Sequence, residues 1–213
     1  MLQLALKPYG ETAILAHDLS EKARAGLCRA LRQEQPADFR EYVEGDDSVL
    51  FIFEQPTGVE ELEKWLKKLK AGKADRAKKP VTEVPVIYDG PDLKPVARQA
   101  GLSVDQVIEI HCSATYTVRM TGFTPGFPYL DGLDKRLHLP RKDSPRQRIK
   151  PGAVAIGGSH AGIYSVASPG GWHLLGRSER KLFDPAAAKG DAPDPRKVFL
   201  FSPGDRLRFQ PAS

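Results

Sequence analysis

Apolar and polar positions over the first eighty residues repeat with two different periods. Leu2, Leu4 and Leu6 recur at every second position, as a half-buried strand requires, and Pro8-Tyr9-Gly10 turns the chain into a second short strand over residues 12–16. The period then lengthens. Ala23, Leu27, Ala30 and Leu31 fall at i, i+4, i+7 and i+8, on one face of a helix whose start is marked by Asp18 and Glu21 as a capping pair. Residues 49–53 are apolar at every position, which predicts an inner strand. Thr57 with Glu60 predicts the cap of a second helix that buries Val59, Leu62, Leu66 and Leu69. A small sheet with helices packed on one side accommodates this order, so residues 1–80 predict an α+β unit, a small α/β sandwich.

A different pattern begins at residue 81. Residues 81–88 alternate as a strand, and Pro85, lacking an amide donor, places it at an edge or bulge. Asp92 predicts the cap of a short helix ending at Gly101, and Ser103 with Gln106 a capping box for another helix running into His111. Beyond Tyr116 no helical period persists. Residues 116–120, 153–156, 162–166, 172–176, 198–201 and 206–209 read as short strands between turns. The 18 prolines and 19 glycines crowd toward this half, so residues 81–213 predict a second domain that is a barrel or a sandwich.

Charge and cysteine usage remove several classes of function. Much of the formal net charge of +5 sits in the run from Lys64 to Lys79, the end of an amphipathic helix followed by a basic linker. That run has no interleaved aromatics for base stacking and belongs to no recognised reader module, so nucleic acid is not an expected partner. The start of the chain lacks a signal-peptide pattern and no stretch is long and apolar enough to span a bilayer, which predicts a cytoplasmic protein. Cys28 and Cys112 are too few for a disulfide framework or a four-thiolate zinc site, no pair of histidines stands at helical ligand spacing, and no metal is expected.

Two tempting motifs fail. Gly152-Ala153-Val154-Ala155-Ile156-Gly157-Gly158-Ser159 has the glycines and terminal hydroxyl of a phosphate-binding loop, but Gly158 stands in the lysine's place and no helix follows. Gly157-Gly158-Ser159-His160-Ala161 approaches a nucleophile elbow, but Ala161 replaces the last glycine and the next segment reads as strand.

Other side chains point to chemistry more directly. Residues 122–130 set Pro-Gly and Phe-Pro breaks around Phe123, Phe127 and Tyr129, giving a rigid, partly apolar loop that either positions a ligand or plugs a barrel end. Arg141, Arg146, Arg148 and Arg177 offer planar forks to a carboxylate or phosphate, with Pro140 and Pro145 stiffening the chain before two of them. The competing reading is surface salt bridges to Asp131, Asp134 and Asp143. His111 is a general acid or base if it faces the pocket and a structural histidine otherwise. Ser168-Pro169-Gly170-Gly171-Trp172 reads as a tight turn, with Trp172 packed beneath it or stacked on a ligand.

Taken in order, several blocks resemble one family, the B subunits of ATP-dependent 5-oxoprolinase, also labelled kinase A inhibitor or allophanate hydrolase subunit 1. They are Gly122-Phe123-Thr124-Pro125-Gly126-Phe127-Pro128-Tyr129-Leu130, Leu139-Pro140-Arg141, Ser144-Pro145-Arg146, Pro151-Gly152, Ile163-Tyr164, Ser168-Pro169-Gly170-Gly171-Trp172 and Gly176-Arg177. The resemblance extends upstream through residues 86–93 and His111 and downstream to residues 204–209, and is weaker over residues 1–80. It implies a cyclophilin-like β-barrel for residues 81–213. It implies an activity, the ATP-dependent opening of 5-oxo-L-proline to L-glutamate, carried out with a structurally related C subunit and with an A subunit. ATP would be a co-substrate of that complex, no cofactor would be tightly bound, and the chain alone would be inactive. His111, Arg141 and Arg146 then stand as catalytic candidates, and Phe123, Phe127, Tyr129, Tyr164, Ser168, Trp172 and Arg177 as substrate-binding ones. Two other roles follow from the same resemblance: inhibition of a sporulation-type histidine kinase, and a carboxyltransferase-like part in a biotin-dependent urea carboxylase. His160-Ala161 stands where relatives often carry Gln-Thr, which argues against an essential role for His160, and Ala153 stands where many carry serine.

Overall fold

A computed structural model describes residues 4–68, 80–189 and 194–212. The chain forms two compact units, Met1–Ala77 and Lys78–Ser213.

In the first unit, strands β1 (Ala5–Pro8), β2 (Ala13–His17), β3 (Phe39–Glu44) and β4 (Val49–Phe53) form an antiparallel sheet in the order β1-β2-β4-β3, with helices α1 (Glu21–Gln33) and α2 (Val59–Lys68). The inner position of β4 follows from its apolar run: Val49, Phe51 and Phe53 are buried with Ile14, Leu27, Leu31 and Leu62, while Leu50 and Ile52 are half-buried. β3 escaped the sequence reading because Phe-Arg-Glu-Tyr-Val-Glu does not alternate, and a bulge lies between Phe39 and Glu41. Both predicted helix caps are corrected. Ser20, not Asp18, caps α1, its hydroxyl accepting from the amide of Ala23 at 3.3 Å, and Asp18 turns the chain at φ 56°. Before α2 the carboxylate of Glu61 accepts from the amide of Gly58 at 3.1 Å, and Thr57 bonds to the carbonyl of Gln55 instead of capping. Leu69 and most of the basic linker lie outside the described residues.

In the second unit, β5 (Val81–Val86), α3 (Leu93–Ala100) and α4 (Val104–Ser113) precede β6 (Tyr116–Thr121) and β7 (Pro128–Asp131). A 3-10 turn, Lys135–Leu137, leads to β8 (Arg146–Ile149), β9 (Ala153–Gly157), β10 (His160–Ile163), β11 (Ser168–Gly170) and β12 (His173–Arg177). The helical turn α5 (Pro195–Val198) and β13 (Arg206–Pro211) end the unit. Seven strands form one sheet in the order β12-β9-β10-β7-β6-β13-β5. Its two ends meet where Ile87 and Arg177 exchange backbone hydrogen bonds of 2.8 and 2.9 Å, so the sheet is nearly closed and barrel-like. β5 ends the strand order, the place Pro85 predicts. β8 and β11 form a separate two-stranded ribbon.

The capping box of α4 forms as read from the sequence, Ser103 and Gln106 each bonding the other's amide. Residues 198–201 are not a strand: Asp194 caps the turn α5, and only an isolated bridge joins Phe199 to Phe183. The strand expected over residues 162–166 lies earlier, as β10, and the glycine-rich stretch 152–159 is β9 and its hairpin turn, with strand following. Among the described residues no helix is long and apolar enough to cross a membrane.

Candidate functional site

The loop before β7 and the ends of β9, β10 and β12 bring the aromatic residues together. Phe127 is buried, and four rings meet it edge to face: Tyr129 at a centroid distance of 5.1 Å, Tyr164 at 5.3 Å, Trp172 at 5.5 Å and Phe123 at 5.6 Å. This is the arrangement that the negative face and positive edge of each ring favour. Glycine makes the fit possible. A Cβ at Gly157 would lie 2.7 Å from the indole of Trp172, and one at Gly162 would lie 2.8 Å from the ring of Phe127. Phe123 is the unusual member, 57% exposed and held at φ 67°, a backbone region that β-carbon residues avoid. Its loop is fixed by Gly122, Thr124 and Phe127 through backbone bonds, and by the hydroxyl pair Thr124–Ser165 at 3.2 Å.

Cationic groups border this aromatic cluster. The guanidinium of Arg141 lies 5.8 Å from the centre of the Trp172 ring, within cation–π range. Arg146 opens β8 opposite Gly170 of β11. Its Nη2 donates to Oδ1 of Asp92 at 2.8 Å, and Nζ of Lys142 donates to the same oxygen at 3.1 Å. Burial alone would push the Asp92 carboxyl upward, but the hydrogen bonds from Arg146, the Leu174 amide and Lys142 outweigh it and hold the group below the usual carboxylate range. Arg146 Nη1 and Ser168 Oγ, on the two strands of the ribbon, are buried polar atoms with no hydrogen-bond partner among the described residues. Burial raises the phenol of Tyr164, so the group stays protonated and able to donate.

The structure thus gathers Phe123, Phe127, Tyr129, Tyr164, Trp172 and Arg141 in one cluster, with Arg146 and Ser168 on the adjoining ribbon. Two candidates do not join them. His111 is wholly buried in the barrel core, stacked on Phe209 and bonded through Nδ1 to Tyr88, and burial lowers its pKa to about 3. It is a core histidine and not a pocket-facing acid or base. Arg177 is half-exposed at the end of β12 away from Trp172, paired with Asp89 at 2.9 Å. The acidic partners expected on the surface are engaged differently: Asp131 pairs with His160 at 3.0 Å and Arg119 at 3.5 Å, and Asp134 with Arg136 at 2.8 Å.

Asp92 and Lys142 are the residues that sequence reasoning missed. Asp92 precedes a helix and so reads as a cap, yet its side chain makes no capping bond to α3. The signal was available only as the unexplained cations of residues 141–148, which need a buried counter-charge if they gather in one place.

The family described as carboxyltransferase domain, subdomain C and D, matches residues 4–192. A 5-oxoprolinase B subunit from Escherichia coli O157:H7 is 40% identical over 179 residues, covering 80% of this chain and 77% of that protein. A 5-oxoprolinase B subunit from Bacillus subtilis (strain 168) is 47% identical over 108 residues, 49% of this chain and 45% of the relative. The crystal structure of TTHA0988 superposes with a TM-score of 0.77 at 36% identity; the match covers 94% of this chain and only 40% of that longer one.

Proposed function

Because the chain belongs to the family of 5-oxoprolinase B subunits, within the carboxyltransferase domains of subdomain C and D type, we propose that it is the B subunit of an ATP-dependent 5-oxoprolinase. It would act in the cytoplasm with the A and C subunits, and convert 5-oxo-L-proline to L-glutamate. One observation carries the reading: the cations Arg141, Lys142 and Arg146 border a cluster of five edge-to-face aromatic rings. That combination suits a small, flat, anionic ring such as a lactam bearing a carboxylate.

The chemistry explains why ATP is consumed. An unstrained lactam is a poor electrophile. If its carbonyl oxygen takes the γ-phosphoryl group and ADP leaves, the carbon becomes open to water; addition of one water and rupture of the C–N bond give an acyl phosphate, and a second water then releases phosphate and leaves glutamate. Arg146 would hold the substrate carboxylate, and Arg141 would offset the negative charge that develops at the carbonyl. The Tyr164 phenol adds a neutral donor. No phosphate-binding loop is formed by residues 152–159, which lie in the β9–β10 hairpin, so the nucleotide is assigned to a partner chain or to an interface, and the chain alone to an inactive state.

The test is glutamate release from 5-oxoproline and ATP by this protein with the A and C subunits, each omitted in turn, beside an Arg146→Ala variant. Activity that needs all three chains and drops at least about tenfold in the variant is the expected result. A correctly folded, complete mixture that releases no glutamate overturns the reading.

A further inference from the structure

We propose that Asp92 is a positioning residue of this site, holding Arg146 so that its Nη1 edge is presented to the substrate carboxylate. The inference rests on the functional reading above and adds a residue and a binding logic to it.

Asp92 ties together three segments that are distant in sequence. Its Oδ2 accepts from the amide of Leu174 on β12 at 2.8 Å, and its Oδ1 accepts from Lys142 and Arg146. The side chain is 4% exposed, whereas those of Lys142 and Arg146 are 30% and 28% exposed. A buried anion thus faces the protein, and its two cations lie between it and the surface.

That order is the reverse of a surface salt bridge, in which both charges face water. Its Oδ2 is held by a backbone amide, which sets the direction of the carboxylate, and Oδ1 then orients the guanidinium that bonds to it. Helix capping does not explain the residue, since Asp92 has helical backbone angles and its side chain makes no capping bond. A cap would need only an oxygen, and serine, threonine or asparagine would serve; two clustered cations need a charge.

The charge balance then names the class of ligand. One carboxylate against Lys142 and Arg146 leaves one positive charge at Asp92, and Arg141 over Trp172 adds another beside it, so the site favours a ligand that carries a carboxylate. Arg146 Nη1 is the donor left over, buried and without a hydrogen-bond partner among the described residues. An orphaned donor of this kind is costly until an acceptor arrives, so the interaction strengthens the bound state relative to the free one. The anion is therefore recognised by a fork that is half occupied beforehand, with Asp92 setting its angle.

The experiment compares wild-type complex, Asp92→Asn, Arg146→Lys and the double variant, measuring kcat and KM for 5-oxoproline and inhibition by 2-pyrrolidinone, the same lactam without the carboxylate. Asp92→Asn is expected to raise KM for 5-oxoproline at least about tenfold, with kcat changed less than about threefold and inhibition by 2-pyrrolidinone unchanged. On the Arg146→Lys background it adds less than about twofold to KM, because Asp92 acts through the guanidinium. Equal weakening of both lactams, or full additivity of the two substitutions, overturns the inference and makes Asp92 a structural pin. Should the asparagine variant not fold, Arg146→Lys decides: the ammonium keeps the pair with Asp92 but has no second edge, so KM must rise at unchanged melting temperature, and an unchanged KM overturns the proposal. A wild-type complex that does not turn over 5-oxoproline refutes the functional reading, whereas an active wild type with the non-selective pattern refutes the role of Asp92 alone.

Discussion

The hydroxyl of Tyr88 and Nδ1 of His111 are hydrogen-bonded at 2.7 Å, and the imidazole stacks on Phe209 with centroids 4.5 Å apart. Proton uptake by this ring would bury a charge. Burial lowers its pKa from 6.5 to about 3, so between those values the unfolded chain binds a proton that the folded chain refuses. Stability is therefore unaffected above pH 6.5 and falls as the pH drops toward 3. The expected loss at pH 5 relative to pH 7.5 is about 2 kcal/mol from this group. Urea denaturation at the two pH values, on wild type and His111→Gln, checks it: the variant should show a shallower pH dependence whatever its absolute stability.

Phe123 occupies the left-handed region at φ 67° while exposing its ring. Replacing it by glycine removes strain of about 1–2 kcal/mol and removes the ring. Phe123→Gly should therefore melt at or slightly above the wild-type temperature while losing affinity for the lactam in the reconstituted complex. An unchanged KM would show that the ring makes no contact with substrate.

The indole of Trp172 rests on Gly157, where an added Cβ would approach it to 2.7 Å. Gly157→Ala forces the ring to move and should cost about 1–3 kcal/mol. Because Arg141 lies over the same ring, the substitution should also alter the near-ultraviolet circular dichroism of the aromatic cluster and reduce activity. Retained spectrum and activity would show that the ring has room to shift without consequence.

Arg177 and Asp89 form a half-exposed pair at 2.9 Å. Such pairs contribute about 0–1 kcal/mol, and this one is remote from Trp172 along β12. Arg177→Ala should leave kcat/KM within about twofold and the melting temperature within a few degrees. A large loss of turnover would return Arg177 to the site.

What was legible in the sequence was whatever depended on a repeat or a rigid backbone. The period of α1, the capping box of α4 and the unbroken apolar run of β4 each specify their element locally, and the Pro/Gly breaks around Phe127 marked the aromatic loop. The strands β3, β7, β8 and β11 were not legible, because each is set by the neighbours it pairs with and not by a pattern of its own. The same limit applied to charge. Asp92 before a helix reads locally as a cap, and its partnership with Arg146, 54 positions away, exists only once β8 and β12 are brought beside α3. His111 erred in the opposite direction: a histidine at the end of a capped helix has the chemistry of a catalyst, but the barrel core closes over it.

The near-closure of the barrel bears on how the site can be observed. After β5 the chain is fastened to β12 by the paired bonds of Ile87 with Arg177, by the Gly90 amide on the carbonyl of Leu175 at 3.1 Å, and by the Asp92 amide on that of Leu174 at 3.1 Å. The last of these rivets belongs to the residue that grips Arg146, so the barrel's seam and the anion site share one strand of backbone. A carboxylate drawing Arg146 taut would tighten the zipper as well. Its arrival should then be recorded as slower deuterium uptake at the amides of Ile87, Gly90, Asp92 and Arg177, a signature readable in the isolated chain even when no turnover occurs.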